Sequence, residues 1–113
     1  IRDSFHSELM LESSKLFLDR NKNINFNKVN FDLISNHQLK NYKDIPQTEY
    51  INQLSLQIHS PVMWSDTIKK IIETGVSKFI EIGPKKTLLN FIPKGLESEK
   101  ISITNNEDID NYV

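Results

Sequence analysis

The three histidines are the main candidates for proton-transfer chemistry in this sequence, which has no cysteine. His6 stands beside the bulky Phe5 and just before a predicted helix, where an imidazole is held rigidly enough to act as a general base. We interpret His37, in a polar loop, and His59, between two predicted helices, as ordinary surface or joint histidines. From the residues alone, a structural role for His6 stays open.

Other catalytic patterns are incomplete in this sequence. No serine has glycine on both sides, and the nearest case, Gly75-Val76-Ser77, lacks the trailing glycine of a nucleophile elbow. The stretch from Gly83 to Thr87 has one glycine and a proline, which removes an amide donor, so it is not a phosphate-binding loop. Without cysteine there is no disulfide and no thiolate zinc site.

The composition is typical of one small folded domain. Of 113 residues, 37% are apolar and 26% are charged, and 14 basic side chains nearly balance 15 acidic ones. No apolar run approaches the roughly 18 residues of a membrane span. A net charge of −1 offers no positive surface for a phosphate backbone. We therefore expect neither a membrane nor a nucleic acid as a partner.

The elements that must position these residues alternate between helices and short apolar strands. Apolar spacing predicts helices over 7–20, 46–58 and 61–74, the last with Ser60 as N-cap and Gly75 as the left-handed residue after its end. Strands are predicted over 31–35, 79–82 and 101–103, a short helix over 88–92, and a polar acidic tail at the end. This alternation predicts an α/β fold with buried parallel strands.

The first residue and the residue usage set two further expectations. The sequence begins with Ile1 rather than methionine, and we expect a piece of a longer chain. Alanine is absent while asparagine, isoleucine and lysine abound, which indicates codon bias toward A and T. We accordingly expect an organelle matrix, plastid-like or mitochondrial, or the cytoplasm as the compartment.

Five short segments form an ordered series along nearly the whole chain. They are Phe5–Met10 (FHSELM), Ser35–Asn36 (SN), Gln57–Trp64 (QIHSPVMW), Gly75–Val76 (GV) and Phe79–Pro84 (FIEIGP). In order and spacing they resemble the C-terminal part of malonyl-CoA:acyl carrier protein transacylases, the acyltransferases of fatty acid and polyketide synthesis. Several separated motifs in one order make this resemblance more specific than any one of them.

The resemblance implies an α/β-hydrolase-like large subdomain, of which residues 1–113 form the C-terminal portion. In that family the serine nucleophile, on a Gly-His-Ser-x-Gly elbow, lies N-terminal to the segment seen here. The oxyanion-hole amides and the arginine that holds the malonyl carboxylate lie there too. We therefore expect the serine elbow and the small subdomain upstream, on the remaining N-terminal part of the same enzyme.

The resemblance also implies roles for three residues. His6 would be the catalytic base that takes the proton of the absent serine, and Gln57 matches the position whose backbone carbonyl orients the imidazole. Phe5 would line the acyl pocket and favour malonyl over methylmalonyl, because a bulky ring leaves no room for the methyl branch. A simple packing role of Phe5 against the helix after His6 stays open.

The implied reaction transfers malonyl from malonyl-CoA to the pantetheine thiol of acyl carrier protein through an acyl-serine intermediate. It implies no metal and no bound organic cofactor. Its partners would be malonyl-CoA, acyl carrier protein and the N-terminal part of the same enzyme. The alternative is a non-catalytic α/β interaction domain that retains only the acyltransferase pattern, and the presence or absence of an upstream serine elbow decides between them.

Overall fold

The computed structural model describes residues 5–113, which form a mixed chain of helices with one parallel pair of strands. In chain order the elements are α1 (Leu11–Asn21), α2 (Tyr50–His59), α3 (Trp64–Glu73), β1 (Lys78–Ile82), β2 (Glu99–Ile103) and α4 (Asn106–Tyr112). The chain divides after residue 67 into two compact units. Among the helices described, none is both long and apolar enough to cross a membrane.

The first unit is built on the packing of α1 against α2. Tyr50, Ile51 and Ser55 on one side of α2 are buried, as is Ser14 on α1. The Tyr50 hydroxyl donates to the carbonyl of Tyr42 at 2.9 Å, and the two tyrosine rings meet edge-on with centroids 5.2 Å apart. Because a buried ring with a satisfied hydroxyl contributes both apolar area and a fixed contact, this pair ties the segment before α2 to the helix.

The second unit contains the two strands and α4. Strands β1 and β2 are parallel, with Lys78 opposite Glu99 and Ile82 opposite Ile103. The predicted α/β class with a parallel sheet is therefore confirmed. Exposed and partly covered side chains alternate along β1, so that Ile80 and Ile82 lie on its exposed face. The apolar core of this unit includes Ile103 on β2.

The helices predicted over 7–20 and 46–58 are present, and each opens with a single 3₁₀ turn, Glu8–Met10 and Gln47–Glu49. The helix predicted from Pro61 begins three residues later, at Trp64. Ser60 is extended (φ −97°, ψ 146°), as expected before a proline, and its N–H donates to the carbonyl of Leu56 at 3.0 Å. Ser60 therefore ends α2 instead of capping α3, whereas Gly75 adopts the predicted left-handed conformation (φ 85°).

The strand predicted over 31–35 is wrong, because this segment forms a single antiparallel bridge between Ile34 and Asn41. The side-chain oxygen of Asn41 accepts from the N–H of Leu33 at 3.2 Å, and its amide donates to Asp32 at 2.7 Å. Side-chain bonds of this kind satisfy backbone groups that a neighbouring strand would otherwise pair. The segment is thus a side-chain-braced loop.

A single 3₁₀ turn, Leu89–Phe91, takes the place of the helix predicted over 88–92. Ile92 is extended (φ −72°, ψ 132°) because Pro93 follows it, so the turn does not continue. The start of this turn is held by Glu81 on β1, whose carboxylate accepts the N–H groups of Leu88 and Leu89 at 3.0 and 2.9 Å. These two bonds lower the pKa of Glu81.

The predicted polar tail is wrong, since residues 106–112 form α4. Asn105 is its N-cap and accepts the N–H of Asp108 at 3.0 Å. Asp108 in turn accepts the backbone N–H and the hydroxyl of Thr104 at 2.7 and 2.8 Å, which lowers its pKa. An asparagine followed three residues later by an aspartate is a capping pattern, and it was the signal for this helix.

Candidate active site

His6 and Gln57 are joined by a hydrogen bond. Nδ1 of His6 lies 2.8 Å from the backbone carbonyl oxygen of Gln57, 51 residues further along the chain. A carbonyl oxygen only accepts, so Nδ1 carries the proton and Nε2 is the basic nitrogen of the neutral ring. Because the His6 side chain is exposed, the site presents an imidazole of defined tautomer and orientation at the surface of the first unit.

The end of α2 supplies the acceptors for this histidine. The last carbonyls of a helix have no partner within the helix, and they form the negative end of its dipole. Gln57 and Ile58 are both in the last turn of α2: the first accepts from the His6 ring and the second from the His6 N–H at 2.9 Å.

The backbone of His6 lies in the left-handed region, with φ at 64°. A residue with a Cβ atom pays about 1 kcal/mol for this conformation. The bond from its own N–H to Ile58 helps to hold the chain there. The reversal of direction brings the ring toward α2 immediately before the chain enters the turn Glu8–Met10 and helix α1.

The side chain of Gln57 is engaged elsewhere. Its Nε2 lies 3.4 Å from the hydroxyl oxygen of Tyr42, which is buried. The backbone oxygen of Gln57 therefore faces His6 while the amide faces Tyr42. Tyr42 was missed by sequence reasoning, because a tyrosine in a polar loop carries no periodic signal of burial.

Phe5 precedes His6 directly, and its side chain is 57% exposed. Its predicted place in an acyl pocket stays a prediction, and the exposure leaves the ring accessible to a ligand.

His37 is buried, at 9% exposure, which corrects its interpretation as a surface or joint histidine. Its Nδ1 lies 2.8 Å from the hydroxyl oxygen of Ser35, so its partner is local and distinct from the His6 site. Burial lowers the pKa of His37, and the charges of Lys40 and His59 lower it further. His59 is the last residue of α2 and is partly buried.

Two buried serines, Ser14 on α1 and Ser55 on α2, contact each other where the two helices pack and were missed from the sequence. Serine at a helix crossing differs little in pattern from serine on a solvated face, so only the tertiary structure identifies them. Within residues 5–113, no group of three or more histidine, cysteine, aspartate or glutamate side chains is arranged to hold a metal ion.

Comparison with curated proteins finds malonyl CoA-acyl carrier protein transacylases among the relatives of this chain. The chain is 28% identical over 102 residues to the malonyl CoA-acyl carrier protein transacylase of Haemophilus influenzae, covering 90% of this chain and 32% of that protein. It is 31% identical over 90 residues to the Bacillus subtilis protein of the same name, covering 80% and 28%. The chain thus spans about a third of the length of the curated relatives it matches. No family model matches the chain.

Solved structures show the same likeness in fold. The malonyl CoA-acyl carrier protein transacylase of Clostridium perfringens matches 99% of this chain and 35% of its own, with a TM-score of 0.83 and 28% identity. A malonyl-transacylase solved in complex with a type II acyl carrier protein matches 98% of this chain and 36% of its own, with a TM-score of 0.82. Because its sequence identity is 21%, this match shows the fold alone. In sequence and in fold, the chain is similar to the C-terminal portion of malonyl CoA-acyl carrier protein transacylases.

Proposed function

We propose that this chain carries the catalytic base of a malonyl-CoA:acyl carrier protein transacylase. The observation that carries the proposal is the 2.8 Å hydrogen bond from His6 Nδ1 to the Gln57 carbonyl. General-base catalysis needs a nitrogen of fixed tautomer whose ring is held in one orientation. An imidazole anchored at Nδ1, with Nε2 as its basic nitrogen, meets that requirement.

In the proposed reaction, Nε2 of His6 takes the proton of a serine hydroxyl while the serine oxygen attacks the thioester carbonyl of malonyl-CoA. The carbon–sulfur bond breaks, and the imidazolium returns the proton to the departing coenzyme A thiol. In the second half, the pantetheine thiol of acyl carrier protein gives its proton to His6 and attacks the malonyl-serine ester. The serine oxygen leaves and recovers the proton, so His6 ends each half-reaction neutral.

The serine would come from polypeptide outside these 113 residues. We propose that residues 1–113 are the C-terminal portion of the large subdomain, and that the serine elbow and small subdomain lie upstream. The names of the relatives support malonyl-CoA and acyl carrier protein as the two substrates. The chemistry consists of proton transfer and acyl exchange at a hydroxyl, for which His6 and the serine suffice without a metal or organic cofactor.

The test is an acyl-transfer assay on a preparation that contains this chain together with the serine-bearing portion. Radiolabelled malonyl-CoA alone should label the protein covalently, and acyl carrier protein bearing pantetheine should then remove the label. A His59→Gln variant should behave like the parent protein, because His59 has no place in the proposed chemistry. Absence of both labelling and transfer would support the non-catalytic interaction domain instead.

A further inference from the structure

Ser14 and Ser55 make a reciprocal pair of hydrogen bonds where α1 crosses α2. The Ser14 hydroxyl donates to the carbonyl of Ser55 at 2.7 Å, and the Ser55 hydroxyl donates to the carbonyl of Ser14 at 2.9 Å. The two hydroxyl oxygens lie 2.8 Å apart. The residues are 3% and 5% exposed, so the bonds form away from competing water.

This pair joins the two helices that carry the halves of the candidate site, since Gln57 is on α2 and His6 precedes α1. Ser55 is two residues before Gln57 on the same helix, which separates them by about 3 Å along the axis. On the other side, His6 enters α1 through the continuous turn Glu8–Met10, and Ser14 lies in the following turn. The position of Ser14 on α1 and of Ser55 on α2 therefore sets where His6 meets the Gln57 carbonyl.

The hydrogen bond between His6 and Gln57 requires accurate placement of α1 on α2. A shift of α1 along α2 by one residue moves it about 1.5 Å, whereas hydrogen bonds of this kind tolerate roughly 0.5 Å. Apolar packing resists separation of two helices but is weakly directional, so it does not by itself prevent such a shift. Two bonds running in opposite directions at one crossing oppose both sliding and rotation.

We propose that Ser14 and Ser55 are positioning residues that hold His6 Nδ1 on the Gln57 carbonyl. The inference rests on the proposed function only in the claim that this geometry matters for catalysis. Neither serine touches substrate, and their effect reaches the reaction through the orientation of the His6 ring.

The test compares Ser14→Ala, Ser55→Ala and the double variant with the parent protein. The primary measurement is ¹⁵N NMR of the His6 ring, which reports the protonated Nδ1 and its hydrogen exchange with solvent. In the double variant the protonated Nδ1 signal should weaken and exchange faster. Single-turnover acylation by malonyl-CoA should fall between about ten- and a hundredfold with little change in KM, as expected for a misplaced catalytic group.

The matched control is Ile51→Val, which disturbs a buried residue on the same helix without removing a hydrogen bond. It should lower stability while leaving the His6 signal unchanged. An unchanged His6 signal in folded serine variants would overturn the positioning role. If the double variant fails to fold, the two single variants decide, since each removes one donor. A third outcome separates the two proposals. If the serine variants change the His6 signal but the parent protein transfers no malonyl, the positioning role is supported and the proposed function is contradicted.

Discussion

His6 is oriented by a main-chain carbonyl at the end of α2, whereas a carboxylate orients the histidine of many serine hydrolases. The carbonyl carries no full charge, so it acts on the ring through its position at the end of α2. The side chain at residue 57 is then free to make a different contact, which it does with Tyr42. On the proposed function, the backbone carbonyl of Gln57 is the functional group, more than its side chain.

On the proposed function, Phe5 should determine which acyl group is accepted. A ring beside the α-carbon of malonyl excludes a methyl branch by steric overlap, and exclusion discriminates more strongly than the loss of one methylene contact, worth about 1–3 kcal/mol. We expect Phe5→Ser to shift the ratio of kcat/KM values toward methylmalonyl-CoA in a direct competition with malonyl-CoA. An unchanged ratio would show that the ring has only a packing role.

His37 should make the stability of the protein depend on pH. Burial, Lys40 and His59 lower its pKa below the usual 6.5, so the folded state disfavours the proton that the unfolded state accepts. The contribution of neutral His37 to the free energy of unfolding is complete above pH 6.5. It is lost as the pH falls from 6.5 through the folded-state pKa. Urea unfolding between pH 8 and pH 5 should show this decline, and His37→Gln should flatten it. Equal slopes for both proteins would contradict the assignment.

The contact between His6 and Gln57 was accessible from the sequence because both residues lie within short ordered motifs, whereas the role of Phe5 stays a prediction. Ser14, Ser55 and Tyr42 were not, since their importance comes from contacts between residues far apart in the chain. The burial of His37 escaped prediction for a different reason, because its sequence neighbours Asn36 and Gln38 are polar.

Among the elements, α4 depends on its N-cap more than on packing. The Asn105 side chain accepts the N–H of Asp108, and the helix buries none of its residues. Asn105→Ala should lower the free energy of unfolding of this helix by about 1 kcal/mol. Amide hydrogen exchange over residues 106–112 measures the effect. Asn106→Ala, one residue later, serves as the control. Its amides should exchange as slowly as those of the parent, or more slowly. Faster exchange in Asn106→Ala but not in Asn105→Ala would refute the capping role.

The helices with regular apolar spacing were predicted correctly, and so were the β-branched strands β1 and β2. The predictions failed where a side chain replaced a backbone partner: Asn41 braces the segment that was expected to be a strand. Proline moved the start of α3, because Ser60 before it takes an extended conformation. Such failures occur where local side-chain bonds or proline override periodicity.

At the scale of the whole molecule, both units leave large apolar side chains uncovered. Leu9 in the first unit is 81% exposed, and Ile82 in the second is 77% exposed. On the proposed function, these and the other exposed apolar side chains of the chain would contact the upstream polypeptide. We expect the 113-residue chain alone to bind a hydrophobic dye and to unfold with weak cooperativity. A sharp thermal transition of a monomer without dye binding would count against the proposed upstream portion and for an independent interaction domain.

The most direct test of the proposed base is the rate of serine acylation in His6→Ala, measured by rapid quench with malonyl-CoA in the protein that includes the serine-bearing portion. We predict a fall of about 10²–10⁴-fold with little loss of stability, because general-base catalysis contributes that much, and partial recovery on addition of imidazole. Gln57→Ala, which keeps the backbone carbonyl, should stay within about tenfold of the parent rate on this mechanism. Acylation by His6→Ala at the parent rate would contradict the account.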